Sequence, residues 1–262
     1  MMDTTLKELW IEHDGARLFA VEKGEGPTVL LLHGGMADHR ACLPHLVSLS
    51  ATFRVVAPDQ RSSGRSRCSE PLSFERLTDD LLAWMDDLDL TRAVIVGLSS
   101  GTGVAVHFAL AHPGRVAGLG LVQPIYGGVE MGLTPEQVEI LSWMDGIASQ
   151  TLKYGIEAIK PMYAAAPERF REQAIATAME FDPASIVATS RFLASGEQPF
   201  RSSADLAGIQ APVLLIRGAD PIHPSAVSDQ YVRSLARVQE FEPADPLVEA
   251  KLKDFCAAAL RR

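Results

Sequence analysis

Cysteine is scarce in this chain. The three present, Cys42, Cys68 and Cys256, are odd in number and widely spaced. That excludes a disulfide framework and suits reduced, buried thiols. No apolar run reaches the ~18–20 residues a spanning helix needs. The opening Met1-Met2-Asp3-Thr4-Thr5 has no basic region followed by an apolar core. No secretory signal is therefore expected, and the expected compartment is the cytoplasm. Positive charge is in deficit, with 24 Lys and Arg against 33 Asp and Glu and a net charge of −9. That balance argues against a nucleic-acid or anionic-membrane partner. No Gly-x-Gly-x-x-Gly follows a strand-like run, and no His, Cys and carboxylate spacing suggests a metal site, so no cofactor and no metal are expected. Histidine is absent beyond His223 and from Pro124 to Phe200.

What is present is ordinary globular composition, 47% hydrophobic over 262 residues, enough for one sizeable core. The chain is organised around Val94-Ile95-Val96-Gly97-Leu98-Ser99-Ser100-Gly101-Thr102-Gly103. A short β-branched run reads as a buried strand, and an apolar pattern of helical length follows up to His112-Pro113. Gly97-x-Ser99-x-Gly101 sits between them, a nucleophile elbow in its required context of strand, tight turn and helix. Such a turn lifts the Ser99 hydroxyl off the sheet and aims the Ser100 N–H at the space above it.

Taken in order, residues 6–12 and 17–23 read as two strands joined at His13-Asp14-Gly15. Strands follow at Thr28–Leu32, Phe53–Ala57, 93–97 and 116–122, alternating with helical patterns at Ala41–Ser50, 73–89 and 100–111. Alternation of this kind implies parallel pairing by right-handed crossovers, with the leading hairpin as an antiparallel edge. Residues 124–203 hold no convincing strand; Thr134–Ile147, Thr151–Ala165, Pro167–Met179 and Pro183–Ser195 read as helices. The rhythm resumes with a strand at Pro212–Ile216, a helix from Pro224, a strand at Val238–Phe241 and a final helix from Pro246 to Leu260. The expected organisation is a single domain, with a core of residues 1–123 and 204–262 and a helical cap over 124–203.

Across nearly all of residues 10–262 the chain resembles the α/β-hydrolase fold superfamily, in particular its small esterase, haloperoxidase and lactonase-like members. The resemblance rests on His33-Gly34-Gly35, on Asp59-Gln60-Arg61-Ser62-Ser63-Gly64-Arg65-Ser66, on the elbow, on His112-Pro113-x-Arg115-Val116 and on Arg217-Gly218-Ala219-Asp220, in that order. It implies an α/β fold with a mostly parallel sheet flanked by helices, an antiparallel N-terminal edge and an inserted cap. It also implies Ser99 as nucleophile, Asp220 as triad acid, and the N–H groups of Gly35 and Ser100 as oxyanion hole.

The family's histidine belongs just after the last strand, where this chain reads Phe241-Glu242-Pro243-Ala244-Asp245-Pro246-Leu247. Asp245 is thus expected at the histidine's position. A carboxylate is a poor base for serine, with a reference pKa of ~3.9. Beside Asp220, one of the two carboxyls should titrate upward. Impaired activity is the consequence, and three readings stay open: an engineered trap, a natural binding or partner protein, or a lyase or isomerase using the same pocket. The intact elbow and acid favour retained chemistry. His223 reads as packing in the loop that positions the acid, with a rescue-base role given less weight. His33 reads as structural, His107 and His112 as packing or capping, His13 as exposed, and His39 as a surface imidazole.

The Asp59-Gln60-Arg61 run reads as a structural loop, with Arg61 and Arg65 holding neighbouring backbone. Trp143, Met144, Tyr154, Met162, Tyr163, Phe181 and Phe192 are candidates to line an apolar pocket, though at helical spacing such residues are more often cap core. The expectation is a hydrolase of a small, apolar ester- or lactone-type substrate, either monomer or homodimer.

Overall fold

The computed structural model describes residues 6–164 and 168–261. The expectations that touch Met1–Thr5, Ala165 and Pro167 lie outside the described residues.

Strands β1 (Lys7–His13), β2 (Ala16–Lys23), β3 (Thr28–Leu32), β4 (Arg54–Pro58), β5 (Ala93–Leu98), β6 (Val116–Val122), β7 (Val213–Ile216) and β8 (Val238–Phe241) form one sheet. Their order is β1-β2-β4-β3-β5-β6-β7-β8. β2 runs antiparallel to both β1 and β4; every pair from β4 to β8 is parallel. This is the mixed sheet with an antiparallel N-terminal edge that the pattern of strands implied.

Helices cover both faces. α1 (Leu43–Leu49) and α9 (Val248–Leu260) pack on one; α2 (Phe74–Asp87), α3 (Gly101–Ala111) and, after the helical insert, α8 (Ser225–Ser234) pack on the other. The strand period of two makes the division. In β3, Val29 and Leu31 join Leu46, Leu252 and Phe255, while Leu30 and Leu32 join Leu77, Val104 and Phe108.

Between β6 and β7 the described residues form helices: α4 (Pro135–Tyr154), α5 (Glu168–Ala178), α6 (Pro183–Ala194) and the short α7 (Ser203–Ala207). α4 runs about two turns beyond the expected helix over 134–147, because no proline interrupts it before Gly155 turns the chain at φ 81°. The expected helix Thr151–Ala165 therefore loses its first turn to α4. Its remainder is a 3-10 segment, Ile156–Tyr163, with Pro161 inside it unable to donate an α-helical hydrogen bond. Among the described residues no helix is long and apolar enough to cross a membrane.

The loop after β4 anchors the hairpin. Arg61 is buried and forks onto Asp80 of α2, with Nε to Oδ2 at 2.8 Å and Nη2 to Oδ1 at 2.5 Å. It also donates to the carbonyls of His13 and Asp14 at the β1–β2 turn. Arg65 instead lies over the rings of Trp10 and Phe19 and pairs with Glu8. Arg61 and Arg65 are thus both paired with carboxylates.

Candidate active site

The elbow is built by close approach. Ser99 sits at φ 51°, and its N–H donates to Val122 O at 2.8 Å, tying the turn to β6. Its carbonyl accepts from the N–H and hydroxyl of Thr102 in the first turn of α3. A Cβ on Gly97 would lie 2.4 Å from Gly101 O, and one on Gly101 would lie 2.6 Å from the carbonyls of Leu32 and His33. Both are backbone contacts that cannot give way, so glycine is required on each side of the serine.

The oxyanion turn lies alongside. A Cβ on Gly34 would come 3.1 Å from Ser99 Cβ, and one on Gly35 would meet Leu193 of α6. His33 holds this turn: its Nδ1–H donates to Gly34 O at 2.7 Å, and its Nε2 accepts from Gln60 N–H at 3.0 Å. Burial pushes the His33 imidazole below its ordinary pKa despite the nearby Asp59 carboxylate. Ser100 opens α3, where first-turn N–H groups have no partner within the helix.

Asp245, the residue expected at the histidine's position, bonds within its own loop and to α9. Asp245 Oδ1 accepts from Leu247 N–H at 2.9 Å, and its Oδ2 pairs with Lys251 of α9. The Lys251 and Leu247 bonds hold its carboxyl below the usual carboxylate range, opposite to the upward shift expected beside Asp220. Neither Ser99 nor Asp220 is among its hydrogen-bond partners. The loop after β8 simply closes on the first turn of α9.

His223 faces Ser99 instead. Its Nε2 lies 2.8 Å from Ser99 Oγ, and its Nδ1 lies 2.8 and 2.9 Å from the two oxygens of Asp220. A carboxylate at Nδ1 fixes the proton there, leaving the Nε2 lone pair to accept the Ser99 hydroxyl hydrogen. Asp220 also accepts from the backbone N–H groups of Ile222 and His223, each at 2.9 Å. Partial burial works to raise the Asp220 carboxyl, but the His223 bonds and the Ile222 N–H outweigh it and hold it below the usual range. Asp220 and His223 thus share one short loop between β7 and α8. Gly218 lets that loop fold back, since a Cβ there would lie 2.4 Å from His223 O and 2.6 Å from His223 Cβ. The Gly218 N–H is held by Ser228 Oγ at 3.0 Å.

In the sequence His223 reads as loop packing because the family's imidazole belongs after the last strand. The available signal was Asp220-Pro221-Ile222-His223-Pro224 itself, a short polar loop in which an aspartate caps the backbone three residues on, with no later histidine in the chain.

Among the described residues no other histidine bonds Ser99. His39 Nδ1 and its backbone N–H both engage Asp59 Oδ1, at 2.8 and 2.7 Å. His107 bonds Thr78. Asp38, His39 and Asp59 are a group of described residues whose ligand atoms come within 4.8 Å of one another. Their oxygens already serve Arg40, His39 and the Arg65 N–H.

The insert reaches the site through an apolar cluster. Met36, Leu193 and Phe181 are buried in it, with Met144, Met162, Tyr163 and Ile222 packed against them. A cavity of about 270 Å³ lies beside Met36, Tyr163 and Phe181. Tyr163 donates to Met36 O at 3.2 Å, and Arg40 pairs with Glu180 at 2.8 Å. Phe192 packs on Phe74 in the core instead, and Trp143 and Tyr154 face outward, 50% and 63% exposed.

Residues 29–257 match a family described as "Alpha/beta hydrolase family". A segment of 118 residues is 38% identical to Epoxide hydrolase A of Mycobacterium tuberculosis, covering 42% of this chain and 36% of that protein. The chain spans less than half the length of the curated relatives it matches here. Among solved structures, the enol-lactonase from Burkholderia xenovorans LB400 superposes with a TM-score of 0.77 at 21% identity, over 97% of this chain and all of that one. A thermophilic esterase from Thermogutta terrifontis gives 0.75 at 24%, over 96% of each chain. Likeness at these identities concerns the fold.

Proposed function

The chain belongs to the alpha/beta hydrolase family, and from that premise we propose that it is a serine hydrolase of small ester- or lactone-type substrates. Ser99 is the nucleophile, His223 the general base and then acid, and Asp220 the group that orients and stabilises the imidazolium. The observation that carries this reading is the unbroken hydrogen-bond chain from Asp220 through His223 to Ser99 Oγ. Impaired catalysis was expected only while Asp245 stood in the base's place; with His223 there, a working triad is proposed.

In this mechanism Ser99 Oγ attacks the acyl carbon as its proton moves to His223 Nε2. The carbonyl oxygen takes the negative charge and is met by the N–H groups of Gly35 and Ser100. Collapse expels the alkoxide, which receives the proton from His223. Water then attacks the acyl-Ser99 ester by the same route, releasing the acid and restoring the hydroxyl. The apolar cluster around Met36, Leu193 and Ile222 suits an uncharged acyl or alcohol group.

The test is hydrolysis of p-nitrophenyl acetate and a small lactone, with an epoxide included because a relative carries that name. Ser99→Ala and His223→Ala are expected to lower kcat by roughly 10³-fold or more. Asp245→Asn should remain within twofold. An active Ser99→Ala protein would remove the reading. A wild-type chain silent on all three substrates would turn attention to a binding role.

A further inference from the structure

We propose that Gln137, on the first turn of α4, is a positioning residue for His223. This inference rests on the assignment of His223 as base. Gln137 is fully buried. Its Nε2 donates one proton to Ile125 O at 2.9 Å and the other to Ile222 O at 2.8 Å. Its Oε1 accepts from Thr134 N–H at 2.9 Å, as half of the capping box that begins α4. A residue serving only as a cap has no need to be buried or to spend both amide protons on distant carbonyls.

The Ile222 carbonyl belongs to the peptide unit that enters His223. The N–H of that same unit donates to Asp220 Oδ1. The peptide plane is therefore gripped at both ends, by the triad acid on one side and by the insert's first helix on the other. Asp220 alone cannot fix the imidazole relative to Ser99, because acid and base ride on the same loop. If the loop shifts, the Asp220–His223 bonds travel with it and only the His223–Ser99 distance changes. A contact from outside the loop must set that distance, and Gln137 supplies one through the carbonyl next to His223. The side of Gly218 that faces His223 supplies steric support but no hydrogen bond.

The loss expected from a misplaced base is large, since an error of about 1 Å in a reacting geometry costs roughly 10²-fold in rate. Gln137→Met keeps the side-chain length and removes both donors. It is expected to lower kcat on p-nitrophenyl acetate by about 10- to 100-fold, with KM changed by less than about threefold. Thr134→Val is the control. It removes the hydroxyl that caps α4 and leaves the Gln137 amide in place, so it loosens the helix end without releasing Ile222. Its kcat is expected to stay within about threefold of wild type. The downfield proton signal of the His223 Nδ1–H bond to Asp220, read by NMR, should broaden in Gln137→Met and persist in Thr134→Val. If Gln137→Met does not fold, Gln137→Glu, which keeps the cap acceptor but not the paired donors, is measured in its place with the same expectation. Unchanged kcat in a folded Gln137 variant, or an equal fall in Thr134→Val, overturns the proposal. A fully active His223→Ala protein overturns the base assignment itself, whatever Gln137 does.

Discussion

The imidazole of His223 meets the hydroxyl of Ser99 at 2.8 Å across 124 residues of chain, while the carboxylate of Asp220 at its other nitrogen is only three residues away. Asp220 and His223 therefore come from one loop, and Ser99 from another. This division makes the geometry depend on how the loop after β7 folds.

Asp220 neutralisation should separate orientation from charge. Asp220→Asn can still accept at its Oδ1 but no longer balances an imidazolium, and it invites the wrong tautomer. A fall in kcat of roughly 10²–10⁴-fold is expected on an activated ester. Since the Asp220 carboxyl is held below its ordinary range, the wild-type rate should show no loss of Asp220 charge as the pH falls to about 5. A limb attributable to a carboxyl in the pH 5–7 region, absent in Asp220→Asn, would contradict this.

Gly218 is the steric gate of the loop. In Gly218→Ala the added methyl would press on His223 backbone, which cannot rotate away. A stability loss of about 1–3 kcal/mol is expected from such overpacking, accompanied by a lower kcat. Urea unfolding and ester hydrolysis check the two parts; a variant with wild-type values for both would show that the loop accommodates a side chain.

Asp80 is expected to matter for stability far from the chemistry. Asp80→Ala leaves the buried Arg61 guanidinium with the carbonyls of His13 and Asp14 and, at 4.0 Å, the exposed Asp14 carboxylate. Removing one partner of a buried ion pair costs about 3–5 kcal/mol. The urea midpoint should fall while kcat per folded molecule is retained. An unchanged midpoint would mean that Arg61 reaches water once its partner is lost.

The pH dependence of stability has a defined sign. Burial lowers the His33 and His107 pKa values in the folded protein. Below the ordinary histidine value of about 6.5 the unfolded chain takes up protons that the folded chain refuses. Stability should therefore decline as pH falls from about 6.5 towards the folded pKa values, by at most about 1.4 kcal/mol per pH unit for each histidine. Urea unfolding at pH 7.5 and 5.5 tests this, with an NMR titration of the His33 ring. A ring that is protonated at pH 6 in the folded protein would reverse the argument.

Much of this molecule is written in local patterns. The strand Thr28–Leu32, the elbow around Ser99 and the strand Val116–Val122 are legible because side-chain period and glycine placement act over a few residues. The alternation of strands and helices implies the parallel sheet for the same reason, whereas Asp220 was singled out only by the family resemblance, in the loop after β7. The helices of the insert were harder to bound: the long α4 and the 3-10 segment after it depend on where Gly155 and Pro161 fall.

Which imidazole reaches Ser99 was decided by tertiary structure. A side chain's residue type says what it can do with a proton, but its distance from a group more than a hundred positions away is set by the folding of a loop. Here the absence of a side chain at Gly218, the capping carboxylate of Asp220 and the grip of Gln137 on the Ile222 carbonyl turn that loop inward. Lys251 draws Asp245 onto α9 instead. Local periodicity carries no information about such contacts, because each joins segments that become neighbours only when the sheet and the helical insert have closed on one another.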